Sequence, residues 1–194
     1  MAVTSIANKL KRGNLLVGNE AFIPSNFESI ATVTVGAGGS SSISFTSIPS
    51  TYKHLQIRGI ERAVNNVSGD DPYLRVNSDS GNTYSWHRLT GSGAAASSYG
   101  AGTQPQIRYA YNTADGSYSA NTFSAFVIDI LDYADTNKYK TLRSLAGSDN
   151  NGSGYINLIS GLWQSTSAIT RIDLYPYSGN WNQYSSFALY GVKG

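Results

Sequence analysis

From residue 27 to residue 194 the chain is built of short runs of alternating apolar and polar residues, each closed by a cluster of Gly, Ser, Asn or Pro. This restricts the fold more than any other feature, because a period of two suits a strand with one buried face and not a helix. The runs at 30–35 and 42–45 flank the tip "GAGGS" and read as a hairpin whose glycines set the strand register. Pro49 has no N–H to give to a ladder and breaks it. "KHLQIRG" then restarts a strand with Leu55, Ile57 and Gly59 on one face. Further strands are read at 73–76, 84–89, 106–111 and 123–131, the last being the most apolar and a candidate central strand. "KYKTLRSLAG", "GYINLISGLW", "AITRIDLYP" and "SSFALYGVKG" complete the set. The small-residue stretch 91–105 reads as a long surface loop, and 112–121 as a second hydroxyl-rich loop facing outward. The expected fold is all-β, an antiparallel β-sandwich in jelly-roll-like order, with an up-and-down barrel as the alternative.

Residues 1–26 stand apart from this domain at 27–194. Ile6, Leu10, Leu15, Leu16 and Phe22 are apolar but do not alternate cleanly, and Thr4 or Ser5 is placed to cap a short turn through Leu10. The segment reads as an arm that docks on a partner or a neighbouring subunit, since unstructured tails are poor in such residues. Lys and Arg follow its apolar residues, the reverse of a signal peptide.

Composition narrows the function. Only 13 % of the 194 residues are charged and the formal net charge is +2. The surface is therefore built of Ser, Thr, Asn, Gln and Tyr, and outside "NKLKRG" there is no basic cluster of the kind nucleic acid requires. With no cysteine there is no disulfide, thiolate metal site or Cys nucleophile. No apolar run approaches the roughly 20 residues of a membrane-spanning helix.

Candidate chemistry is sparse. His54 and His87 lack the neighbours a metal site needs, and no G-x-S-x-G elbow occurs. Asp129, Asp132 and Asp135 are weighed as a carboxylate pair for sugar hydrolysis against an ion pair of Asp129 with Arg143 and a turn at Asp132 and Asp135. Asp70, Asp71, Asp79, Asn82, Asp149, Asn150 and Asn151 supply calcium-type oxygens without a calcium-loop spacing, and read as turn residues. Tyr99, Tyr118 and Trp181 fall in expected turns, where exposed rings would stack on glycans. No catalytic residue, cofactor or metal ligand is assigned.

The stretch "FESIATVTVGAGGSSSISFTSIPSTYKHLQIR" resembles a recurrent domain of structural proteins in tailed bacteriophages of marine and freshwater bacteria. "FVIDILDYADTNKYKTLRSLAG", "GSGYINLISGLWQSTSAITRIDLY" and "FALYGVKG" extend the likeness over most of 27–194. Its most specific part is F-x-x-I-P-x-x-Y-x-x-L-x-I, here Phe45, Ile48, Pro49, Tyr52, Leu55 and Ile57. The resemblance implies a non-enzymatic virion component assembled in the host cytoplasm. A tail-fibre or tail-associated protein for assembly and host attachment comes first, then a capsid decoration protein, then a carbohydrate-binding module. The implied partners are other virion proteins, two more copies in a homotrimer and a host surface glycan. From the chemistry of the motif, Tyr52 is expected to fold over the corner and reach backbone with its hydroxyl, over a core of Phe45, Leu55 and Ile57.

Overall fold

In a computed structural model the described residues are 15–17, 20–22 and 26–194, the first two stretches by backbone pairing alone. β1 (Leu15–Val17) and β2 (Glu20–Phe22) form a small antiparallel pair with Leu15 opposite Phe22. The arm thus contains strands where the sequence shows no alternation, because a three-residue strand is too short to display a period. Ile6, Leu10 and the expected capped turn lie outside the described residues.

The domain strands are β3 (Phe27–Thr34), β4 (Ile43–Phe45), β5 (His54–Glu61), β6 (Tyr73–Val76), β7 (Tyr84–Gly91), β8 (Ala96–Gln104), β9 (Ile107–Arg108), β10 (Ser124–Leu131), β11 (Lys140–Asp149), β12 (Gly154–Trp163), β13 (Ile172–Tyr175) and β14 (Ser186–Val192). They make an eight-stranded sheet, β3-β14-β5-β10-β11-β12-β7-β8, and a four-stranded sheet, β4-β13-β6-β9. All pairings are antiparallel, so the all-β sandwich stands as expected. Jelly-roll order is not established: β10, β11 and β12 follow one another as a meander, and β7 and β8 are sequential neighbours. The expected central strand is β10, fourth in the large sheet.

Alternation decides which residues enter the core. β11 alternates buried and outward residues along its whole length, and β5, β10, β12 and β14 do so nearly as strictly. Leu55, Ile57, Ile128, Ile130, Ile159, Phe187 and Leu189 face Phe45, Leu74, Ile172 and Leu174 of the small sheet, all buried. Gly59 occupies an inward position of β5 where a ring needs the space: a Cβ there would lie 2.7 Å from Phe126 and 2.6 Å from the Ser186 carbonyl. Gly59→Ala is therefore expected to destabilise by about 1–3 kcal/mol, as overpacking does, read as a lower denaturant midpoint at unchanged slope.

Three sequence expectations are corrected. Runs 30–35 and 42–45 are not a hairpin: β3 joins the large sheet beside β14, and β4 joins the small sheet beside β13. The glycine tip turns, with the Gly39 N–H on the Gly36 carbonyl and Gly39 at φ 68°, and then Ser40 exchanges two backbone bonds with Trp181. Alternation fixes the buried face of a strand but does not name its neighbour. Stretch 91–105 is not a loop, because β8 pairs with β7 from Ala96 opposite Gly91 to Gln104 opposite Tyr84. It lies at the sheet edge with most of its residues exposed, so it has no apolar face to announce it. The strand read at 106–111 shortens to β9, although Tyr109 and Ala110 beyond it are buried.

The proline corner is built differently from the expectation. Phe45, Leu55 and Ile57 are buried as read, and Ile48 is buried with them. The hydroxyl that reaches backbone belongs to Tyr133, which donates to the Pro49 carbonyl. Tyr52 lies over Gly191 and donates to Glu28 Oε2 at 3.0 Å, joining the corner to β3.

Candidate functional site: the open face of the large sheet

One face of the eight-stranded sheet covers the core; the other is open. Register places Ile60, Ala125, Gly147, Ile156 and Gly91 in one row across β5, β10, β11, β12 and β7. The next row is Arg58, Val127, Leu145, Leu158 and Leu89. Leu89 and Leu158 are each 54 % exposed, Ile156 59 % and Leu145 48 %. Of these, Leu145 and Ile156 stand next to Ala125, Gly147 and Ala188, and the size difference leaves a shallow depression of about 720 Å³.

Below the apolar rows runs a polar one. Gln56 donates to Asp129 Oδ1 at 2.7 Å and Arg143 Nε to Asp129 Oδ2 at 3.0 Å, while Arg58 Nε donates to the Gln56 side chain. The Arg58 guanidinium sits 5.5 Å from the Phe27 ring centroid and 5.7 Å from that of Tyr190. An apolar centre with a hydrogen-bonded polar margin is the anatomy of an association surface.

The carboxylates weighed for catalysis are engaged by neighbouring protein groups. Both oxygens of Asp129 accept protein hydrogen bonds, and Arg143 is its ion-pair partner. Lys138 and Lys53 hold the Asp132 carboxyl down at about 2. The Asp132 carbonyl accepts the Asp135 N–H, and His54 Nδ1 accepts the Asp132 N–H at 2.9 Å. His87 lies over Gly100 on the open face. Asp79 accepts from Gly81, Thr83 and Trp163, and Asp149 from Gly152, as turn residues do. Among the described residues no group of three or more His, Asp or Glu is placed to hold a metal ion.

The three aromatic candidates separate. Trp181 is fully buried, its ring 5.3 Å from Phe187, because its backbone pairs with Ser40 and Ala63 between the sheets; it offers no face to a ligand. Tyr118 is half-buried and its hydroxyl donates to the Asn112 carbonyl, while three carbonyls of its loop accept from Arg62, so segment 112–121 is fastened and not free. Tyr99 is exposed on β8, beside Trp86 and Arg88.

Comparison with protein-family models, with curated proteins and with solved structures returns no match. The purpose of the fold has to be read from its own surfaces.

Two groups carry no motif in the sequence. Glu61 is fully buried, and its Oε2 accepts from the Tyr109 hydroxyl at 2.5 Å; burial pushes its carboxyl well up. Its one signal is parity, since it follows Leu55, Ile57 and Gly59 on the inward face of β5. Arg88 likewise shares the inward face of β7 with Tyr84 and Trp86.

Proposed function

We propose that the chain is a non-enzymatic structural protein of a tailed-bacteriophage virion, a tail-fibre or tail-associated component for assembly and host attachment, working as a homotrimer. The observation that carries the reading is the open apolar face around Leu145, Leu158, Ile156 and Leu89, which a solitary chain would leave in water. Its occupant is a second copy of this chain. The two apolar rows cross five strands, roughly 19 Å at about 4.8 Å spacing, and so form an apolar centre inside a polar rim, as in a protein interface. Virion membership and threefold symmetry come from the resemblance of residues 27–194 described above.

Leu145→Glu combined with Leu158→Glu tests the assembly. Both side chains point outward, so the variant keeps its fold, and light scattering at micromolar concentration shows a trimer for the natural chain and a monomer for the variant. A natural chain that is monomeric under the same conditions overturns the reading. Labelling the protein in intact particles then separates tail from shell, and with it tail fibre from capsid decoration.

A further inference from the structure

At the β7–β8 end of the large sheet the inward face opens into a cleft of about 280 Å³, lined by Trp86, Arg88, Tyr99, Ala101, Gln104 and Arg108. Arg88 is the unusual member. Its guanidinium carbon lies 3.3 Å from the Tyr111 ring centroid and 5.7 Å from that of Tyr99. Its Nε is shielded from solvent and has no acceptor, and the negative charge it feels is the Asp71 carboxylate, which Arg108 bonds directly. Arg108 reaches the cleft from β9, paired with Asp71 and 6.0 Å from the Trp86 ring centroid. The cleft thus holds two guanidiniums against one carboxylate, and the planar group of Arg88, set between rings, keeps an Nε–H with no acceptor. A carboxylate fits a guanidinium fork through two parallel charge-assisted bonds.

The walls say what the anion is attached to. Tyr99 is 57 % exposed and meets Trp86 at 5.6 Å with the rings tilted by 37°. This presents an aromatic wall beside the arginine, and the Gln104 amide stands at the rim. A free inorganic anion would use the guanidinium and leave the aromatic wall bare. A neutral sugar would stack on the wall and leave the Arg88 Nε–H without an anion. We propose that this cleft is a binding site for a sugar ring carrying a carboxylate, the acidic saccharide of a cell-surface glycan, with the carboxylate on Arg88 and the ring against Tyr99. The site deepens the attachment half of the function above and takes its biological setting from it.

The probe is D-glucuronate, followed by NMR through the Arg88 Nε–H and Trp86 indole N–H signals, with D-glucose and inorganic phosphate as comparison ligands. Saturable shifts at millimolar glucuronate are expected, with binding by glucose and phosphate at least about tenfold weaker. Arg88→Gln removes the response. Tyr99→Ala lies on an exposed edge strand, leaves the fold intact and weakens binding about tenfold; it keeps the test decisive should Arg88→Gln fail to fold. No shift with glucuronate, or an unchanged response in Tyr99→Ala, overturns the proposal, and phosphate binding as tightly as glucuronate overturns the sugar assignment. Association state does not enter this readout. A chain that is monomeric yet binds glucuronate sinks the assembly reading alone, and a trimer that ignores glucuronate sinks this one alone.

Discussion

Trp181→Ala is expected to lower the unfolding free energy by about 3–5 kcal/mol, the range for emptying a large aromatic site in a core. Trp181 heads the fully buried side chains and packs against Phe187, which in turn meets Phe126 at 5.8 Å. The void would open where segment 180–182 is bonded on one side to Ser40 and on the other to Arg62 and Val64. The walls are backbone held in two sheets, so they collapse little. Trp181→Phe should cost far less, because it keeps most of the ring volume and discards an indole N–H that is buried with no acceptor. Urea unfolding of the three proteins checks both statements. A Trp181→Ala variant as stable as the natural chain would mean that this ring is not in the core.

The second large effect depends on pH. Asp70 is fully buried, and burial, with Asp71 and Asp115 nearby, raises its carboxyl from 3.8 to about 6 despite hydrogen bonds from Asn65 and the Tyr177 N–H. A folded-state pKa above the unfolded one means that the native protein takes up a proton. The contribution to stability is full below about pH 4 and is lost as pH rises through about 6. A rise of that size in a carboxyl pKa corresponds to about 3 kcal/mol. Asp70→Asn cannot titrate, so its stability relative to the natural chain should improve by about that amount between pH 4 and pH 7. Carboxyls held low, such as Asp132 and Asp79, act in the opposite sense but are common to both proteins and cancel in the difference. A pH-independent difference would place Asp70 in contact with water.

How far the sequence can be read depends on burial. β10, β11, β12 and β14 carry one apolar and one polar face, and their alternation locates them to within two residues at each end. β8 has no buried face, so nothing in "ASSYGAGTQ" marks it as a strand; it is held by its ladder to β7. Trp181 reads as a turn residue because its neighbours Asn180 and Asn182 are turn formers, while its burial follows from pairing with Ser40, far away in the chain. The open face is hidden by the rule that outward means polar: Leu145 and Leu158 obey the alternation and still face solvent. The cleft is invisible for the same reason as Trp181, since Arg88, Tyr99 and Arg108 meet only after β7, β8 and β9 have come together.

The position of β14 between β3 and β5 has a kinetic consequence. β3 pairs with no strand of the large sheet except β14, and even the nearest partners in that ladder, Thr34 and Ser186, are 152 positions apart along the chain. The meander β10-β11-β12 can form from local contacts, but β3 has nowhere to dock until β14 has been made. Loops of that length are closed late and slowly. During synthesis the first strand of the domain therefore waits, unpaired and with both edges open, for almost the whole of the rest to emerge. Its Thr, Ser and Glu residues keep that waiting strand in water.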